Sequence, residues 1–297
     1  MRRLLIVGCG DVVRRVLPEL TRRWRVYALV RERDATLADF GVTQIVGDLD
    51  RRRSLARVHG LADAVLHSAP PPERGDLDSR TRRLIAALRR GSLPRRLVYI
   101  STSGVYGDCA GARVAETRRT APQTDRARRR GDAERSLRGF GAASACRVSI
   151  LRAPGIYAAD RLPLERLKKG MPVFRTEEDS YTNHIHAEDL GRACIAALER
   201  GAANRVYNAS DDSDLPMGAW FDKLADAFGL PRPPRISRKV SRDGTPTTLS
   251  PTALSFMNES RRLDNGRLKR ELRFRFRYPD VDAGIAAAKE NTCSGPG

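Results

Sequence analysis

The sequence predicts an α/β fold built on an open, doubly wound parallel sheet, and three observations carry that prediction. Short apolar runs alternate with helical-period stretches through the first 155 residues, the pattern of strands wrapped by helices. The runs are continuously apolar, as strands covered on both faces must be. Glycines stand directly after the first run, where such a strand turns into a helix.

Residues 4–7 form the first strand, and a helix follows Gly8-Cys9-Gly10 to about Arg23. Residues 26–30, 44–46 and 64–67 are the second to fourth strands, 97–100 the fifth and 146–151 the sixth. Between the fourth and fifth, Leu84, Ile85 and Leu88 recur at helical spacing, with Arg82, Arg83, Arg89 and Arg90 on the outer face. Another helix begins near Thr124. Beyond residue 155 the pattern loosens to helices at about 187–200, 217–229 and 264–273, a strand at 205–208 and a Pro-Arg connector at 231–235. Residues 1–155 are therefore expected to form the main domain. Residues 156–290 are expected to form a smaller lobe, partly folding back on the sheet, and 291–297 a disordered tail.

Composition narrows the function classes. The chain is 40% hydrophobic and 31% charged, ordinary for a globular protein. No apolar run is long enough to span a bilayer, so no membrane partner is expected. The basic N-terminus leads into only four apolar residues, which reads as a strand, and the expected compartment is the cytoplasm. The formal charge of +19 comes almost wholly from arginine, since only six lysines occur. Those arginines are spread over nearly all the predicted helices and aromatics are only 6%, so no specific nucleic-acid partner is expected. Weak, salt-sensitive association with polyanions follows from the charge alone. Five cysteines without paired spacing read as buried thiols. His184 and His186 are the one close histidine pair, and with no ligand set around them no metal site is expected.

The turn Gly8-Cys9-Gly10-Asp11-Val12-Val13 carries chemistry. Gly8 allows a tight turn, and Gly10 lets backbone approach a pyrophosphate resting on the positive end of the next helix. A third glycine would permit close helix packing at position 13, where Val13 stands instead. A carboxylate after the second strand favours NAD and an arginine favours NADP. The sequence there is Arg31-Glu32-Arg33, so NADP(H) is preferred, with NAD(H) the alternative that Glu32 keeps open. In Gly47-Asp48-Leu49, Asp48 is placed to accept the adenine amino group.

With these residues in this order, the chain resembles the extended and atypical short-chain dehydrogenase/reductases, the NAD-dependent epimerase/dehydratase group, over roughly residues 3–210. Asp48-Leu49 matches the adenine position. Ser68-Ala69-Pro70 matches the backbone that lines the cofactor ribose. Ser101-Thr102-Ser103-Gly104-Val105-Tyr106-Gly107 is similar to the segment that carries a catalytic hydroxyl at the position of Thr102. Pro154 and Tyr157 fall in the stretch that borders the nicotinamide, and Asn183 to Leu190 resembles a substrate-side segment. The resemblance implies a Rossmann-type NAD(P)-binding domain and a substrate lobe contributing Tyr157, Asn183 and His186.

Each of these residues also has a structural reading. The hydroxyls of 101–103 can cap a turn, Tyr106 and Tyr157 can be half-buried pocket walls, Asp189 a helix cap and His186 a satisfied histidine. The family's proton donor is a tyrosine followed four residues later by lysine. Counting back from Glu134 puts Arg126 and Arg130 at those places, and no tyrosine in the chain has lysine four residues on. Arginine stays protonated, so it anchors anions and is a poor acid or base. Turnover would then fall to Thr102 and Tyr106, with Arg130 as anchor. The expected protein is an oxidoreductase or epimerase-like enzyme for a small polar or nucleotide-linked substrate. A non-catalytic NADP(H) sensor is the alternative, and a homodimer is left open.

Overall fold

Successive residues of the first strand point to opposite faces, and all of them are apolar. Leu4 and Ile6 enter the core layer on one side of the sheet, Leu5 and Val7 the layer on the other, and none of the four is more than 1% exposed. Such a strand needs helices on both faces. The computed structural model, which describes residues 1–239 and 257–293, supplies them.

The chain runs β1 (Arg3–Val7), α1 (Asp11–Arg14), α2 (Leu17–Arg23), β2 (Arg25–Val30), α3 (Ala35–Asp39), β3 (Thr43–Val46), β4 (Ala64–His67), α4 (Ser79–Leu88) and β5 (Arg96–Thr102). It continues through β6 (Arg113–Val114), α5 (Asp125–Ala142), β7 (Arg147–Ala153), β8 (Gly155–Tyr157), α6 (Leu164–Lys168), β9 (Val173–Phe174), β10 (Tyr181–Thr182) and β11 (His184–His186). Then come α7 (Ala187–Arg200), β12 (Arg205–Asn208), β13 (Leu215–Pro216), α8 (Met217–Phe228), β14 (Arg235–Ile236), β15 (Arg262–Leu263), α9 (Gly266–Glu271) and α10 (Val281–Cys293).

Seven strands form one parallel sheet in the order β12-β7-β5-β4-β1-β2-β3. This is the Rossmann-type doubly wound arrangement, and its order reverses between β1 and β4, where such sheets open a crevice at their carboxyl ends. α1, α2 and α7 contribute to the core layer on one face, and α4 and α5 to that on the other. Each large side chain so buried contributes ~1.5–3 kcal/mol. A third cluster, with Phe174, Trp220, Phe221 and Ile285 at its centre, holds the C-terminal lobe together.

Several expectations change. The helix expected to run unbroken to Arg23 is two pieces, because Arg15 and Val16 leave the helix before Pro18, which sits in the first turn of α2. Residues 205–208 are the seventh strand of the main sheet, paired with β7, and α7 packs on that sheet just before them. The polypeptide of the lobe thus completes the main domain. α10 runs to Cys293, so the expected tail is helical over 291–293, and 294–297 lie outside the described residues.

Candidate functional site

A crevice of about 990 Å³ opens at the carboxyl ends of β1 to β4. Gly8 stands at its deepest turn with φ +91°, a conformation that only glycine adopts without strain. A Cβ there would lie 2.4 Å from the Ala69 nitrogen, so the turn and the loop after β4 touch backbone to backbone. Ser68 Oγ donates to the Gly8 carbonyl and ties the two together. At Gly10, by contrast, a Cβ would meet no atom within 4 Å, since that side of the residue is open. Gly10 precedes α1 with no side chain capping the helix, so its first amides are left for a ligand.

The sequence places Val13 where a third glycine belongs, and the packing there is solved differently. Val13 is 1% exposed within the core layer. The small residue is Gly191 on α7, where a Cβ would sit 2.7 Å from Val16 Cγ1 and 2.9 Å from the Val12 carbonyl oxygen. Sequence reasoning missed Gly191 because its partner lies nearly 180 residues away in the chain.

Beyond β2, Arg31 is exposed, lines the crevice and has no hydrogen bond or ion pair to any described residue. A second arginine, Arg14, also lines it and was not singled out by the sequence reading. Arg14 donates to Asp34, to Thr36 Oγ1 at 2.8 Å and to the Cys9 carbonyl at 3.1 Å. Hydrogen bonds from Thr36 and then Arg14 hold the Asp34 carboxyl below its ordinary pKa. Asp11 lines the crevice and pairs with Arg15 and with Arg161, both at 2.9 Å. Asp48, Leu49, Ser68, Ala69 and Pro70 form the wall between β3 and β4. Arg80 braces that wall, pairing with Asp50 at 2.6 Å and donating to the Pro70 and Pro71 carbonyls. The Cys9 thiol, pushed up to about 11 by burial, is no nucleophile here.

The β5 side differs. Thr102 Oγ1 accepts from the Gly104 amide at 3.2 Å and caps the turn that follows β5. Tyr106, expected as a half-buried wall, is 1% exposed and donates to Asn208 Oδ1 at 2.7 Å, with the Arg152 guanidinium 4.6 Å over its ring. Ser101 Oγ donates to Glu134 at 2.6 Å, and Glu134 forms a buried ion pair with Arg152 at 2.6 Å. Neither Thr102 nor Tyr106 lines the crevice; from this side it is reached by Ile100 and Arg130.

Arg130 is 8% exposed and has no carboxylate partner. One of its Nη groups donates to Tyr99 Oη at 2.9 Å and to the Ile100 carbonyl at 2.8 Å, and its Nε donates to nothing. Burial raises the Tyr99 phenol to about 12. His67 lies 5.0 Å from the Tyr99 ring, and its Nε2 shares a 2.8 Å hydrogen bond with Thr81. Burial depresses its pKa to about 4. Arg126, one turn before Arg130, is exposed and unpaired; desolvation and then the Arg130 charge lower its basicity.

The residues expected from the lobe are mostly absorbed in its packing. Tyr157, expected as a half-buried wall, is buried and donates to the Asp280 carbonyl at 3.1 Å, with its ring centroid 5.3 Å from that of His186 in an edge-on arrangement. Asn183 bridges the Arg261 carbonyl and the Leu263 amide. His186 Nδ1 accepts from the Glu188 amide, so it and not Asp189 caps α7. Asp189 is fully buried and accepts from the amides of Arg277 and Tyr278. Pro154 is half-buried beside Ile156, and only Ile156 of the two lines the crevice. Among the described residues no cluster of His, Cys, Asp or Glu suits a metal ion. No described helix is long and apolar enough to cross a membrane.

Residues 8–200 match the model of a family described as NAD(P)H-binding. No curated protein sequence matches the chain at a significant level. Among solved structures, the chain is similar to a functionally unknown conserved protein from Silicibacter pomeroyi, 27% identical with a TM-score of 0.78, covering 98% of this chain and 99% of that one. It is also similar to a dTDP-glucose 4,6-dehydratase from Streptomyces venezuelae with NAD bound, at 21% identity, TM-score 0.75, and 99% and 97% coverage. A UDP-glucose 4-epimerase from Thermotoga maritima, with UDP-glucose, gives 16% identity, TM-score 0.77, and 98% and 99% coverage.

Proposed function

Because the chain belongs to the NAD(P)H-binding family, we propose that its crevice takes NADP(H) in preference to NAD(H) and serves an epimerase- or reductase-like reaction on a small polar or nucleotide-linked substrate. The observation that carries the cofactor preference is the unpaired Arg31 at the end of β2, on the crevice wall. A guanidinium with no carboxylate of its own suits a 2′-phosphate, which it can bind through two parallel hydrogen bonds. Gly8 and Gly10 would admit the pyrophosphate, and Asp48 would meet the adenine. When bound, the dinucleotide supplies the hydride chemistry, and the protein supplies orientation and charge. Calorimetric titration of both nucleotides tests the preference. Tighter NADP(H) binding that falls to the NAD(H) level in Arg31→Ala is expected; equal native affinities would overturn the preference.

Arg130 gives the reaction side its character. A nearly buried guanidinium with no carboxylate partner is costly unless a ligand completes it. It would therefore anchor a ribose, phosphate or carboxylate beside the cofactor. The second reading, a non-catalytic NADP(H) sensor, is favoured by one observation: Thr102 and Tyr106 are engaged in the protein's own hydrogen bonds and lie off the crevice. A carbonyl-reduction screen of the native protein against an Arg126→Tyr/Arg130→Lys double variant separates the two. Turnover in the native protein that is lost in Arg130→Ala supports the enzyme. Turnover only in the double variant supports the sensor.

A further inference from the structure

A second concavity, of about 300 Å³, lies between the tight helical stretch Arg52–Val58 and α4, apart from the nucleotide crevice. Arg52, Arg53, His59 and Arg90 wall it over a floor of three alanines, and no carboxylate lines it. Elsewhere on α4 arginine meets carboxylate: Arg80 and Arg83 share Asp50, and Arg82 pairs with Asp132. The side chains of Arg52, Arg53, Arg57 and Arg90 make no hydrogen bond or ion pair with any described residue.

The segregation is written in the sequence. Residues 51–62 hold four arginines and no acidic residue, and between Asp78 and Asp108 there are seven arginines and again no acidic residue. Folding packs these two stretches together, and a Cβ on Gly91 would lie 2.5 Å from the Gly60 nitrogen. Both then run straight into the amino ends of β4 and β5. There Arg96 stands in register with Arg147, with Arg95 and Arg2 nearby. The acids at that edge are already engaged, Asp63 with Arg3 and Glu199 with Arg23. From His59 and Arg90 in the groove the chain thus leads to a row of cations at the end of the sheet opposite the nucleotide crevice.

We propose that this groove and the strand-edge arginines dock the phosphodiester backbone of a nucleic acid, without reading its bases. A planar guanidinium fork matches phosphate oxygens. A track of such groups suits a ligand that repeats its phosphates, which one small anion does not. Apart from the His59 imidazole the groove offers no aromatic ring for base stacking, so binding is through the backbone and independent of sequence. Its concave floor of small side chains does not match a flat bilayer. Even spreading of charge over the helices, expected from sequence alone, gives way here to an unpaired cluster in one place.

The test is fluorescence anisotropy of a labelled mixed-sequence DNA duplex on the full chain between about 50 and 200 mM salt. Arg52→Ser/Arg53→Ser/Arg90→Ser is expected to weaken binding at least about tenfold and to shrink the log–log salt slope by about 3. The charge-matched variant Arg118→Ser/Arg119→Ser/Arg275→Ser removes three exposed, unpaired arginines elsewhere and is expected to stay within about threefold of native. Equal losses in both variants would mean general charge attraction and overturn the groove. So would absence of duplex binding by the native protein, or groove-dependent binding of phosphatidylserine vesicles without duplex binding. Urea unfolding of the groove variant serves as its folding control.

Discussion

Along β1, β2 and β3 the crevice presents groups that the protein leaves unused: the open side of Gly10, the first amides of α1, the unpaired Arg31. Along β5, β7 and α5 the polar groups are mostly taken by one another, as in the chains Ser101–Glu134–Arg152 and Tyr106–Asn208. One wall is built to be completed by a ligand and the other is completed from within. In a dinucleotide-dependent enzyme both walls must offer something to a ligand. Turnover is therefore decided on the β5 side, at Arg130.

The largest effect expected from disturbing this contrast is at Glu134. Removing one member of a buried ion pair leaves the other charge without compensation, so Glu134→Ala should destabilise the fold by about 3–5 kcal/mol. Arg31→Ala, on the open wall, should change stability by no more than about 0.5 kcal/mol. Urea unfolding of both measures this, and comparable losses would erase the distinction between the walls. Val13→Gly comes next. It removes a buried side chain and adds backbone freedom, for a loss of about 2–4 kcal/mol. An unchanged unfolding midpoint would mean that Val13 is not part of the core.

The open wall was the more legible one from sequence, and the reason is physical. Gly8, Gly10, Arg31 and Asp48 line the crevice at or just after strand ends, and each strand end is marked by its own apolar run. The closed wall depends on partners that are not neighbours in the chain, Glu134 with Arg152 and Tyr106 with Asn208. No local pattern shows whether a tyrosine at the end of a strand faces a ligand or a buried asparagine, so Tyr106 and Tyr157 read as walls when they are core. The strand at 205–208 was visible in sequence, but its place beside β7 follows only from the crossover through α7.

The closed wall also has a pH signature. His67 is buried neutral with its pKa depressed to about 4, against an ordinary 6.5. The unfolded chain therefore binds the proton more readily. The stability associated with keeping this histidine neutral is fully present above about 6.5 and is lost as pH falls toward 4. Burial lowers His184 likewise, to about 3. Unfolding free energy should thus fall with acid more steeply in the native protein than in His67→Gln, by up to one proton's worth of slope. Identical slopes in the two proteins would show that His67 is protonated in the fold.

The smallest effect on stability, and the clearest on binding, is expected at Gly10. Its φ of −85° and ψ of −172° are open to any residue, and a Cβ would touch nothing within 4 Å. Gly10→Val should therefore leave the unfolding midpoint nearly unchanged, within about 0.5 kcal/mol. Gly8 is the counter-case, because its φ of +91° and the Ala69 nitrogen 2.4 Å from its missing Cβ make even alanine a folding defect. The space that makes Gly10→Val harmless to the fold is space on the crevice side of the turn, where the backbone must approach a diphosphate. Placing two methyl groups there should abolish nucleotide binding in a protein that is otherwise intact. Calorimetry with NADP(H) and NAD(H), paired with the unfolding curve of the same sample, reads both halves of the expectation. Normal affinity in a folded Gly10→Val protein would mean that the diphosphate does not pass this turn, and that the open wall is open for some other ligand.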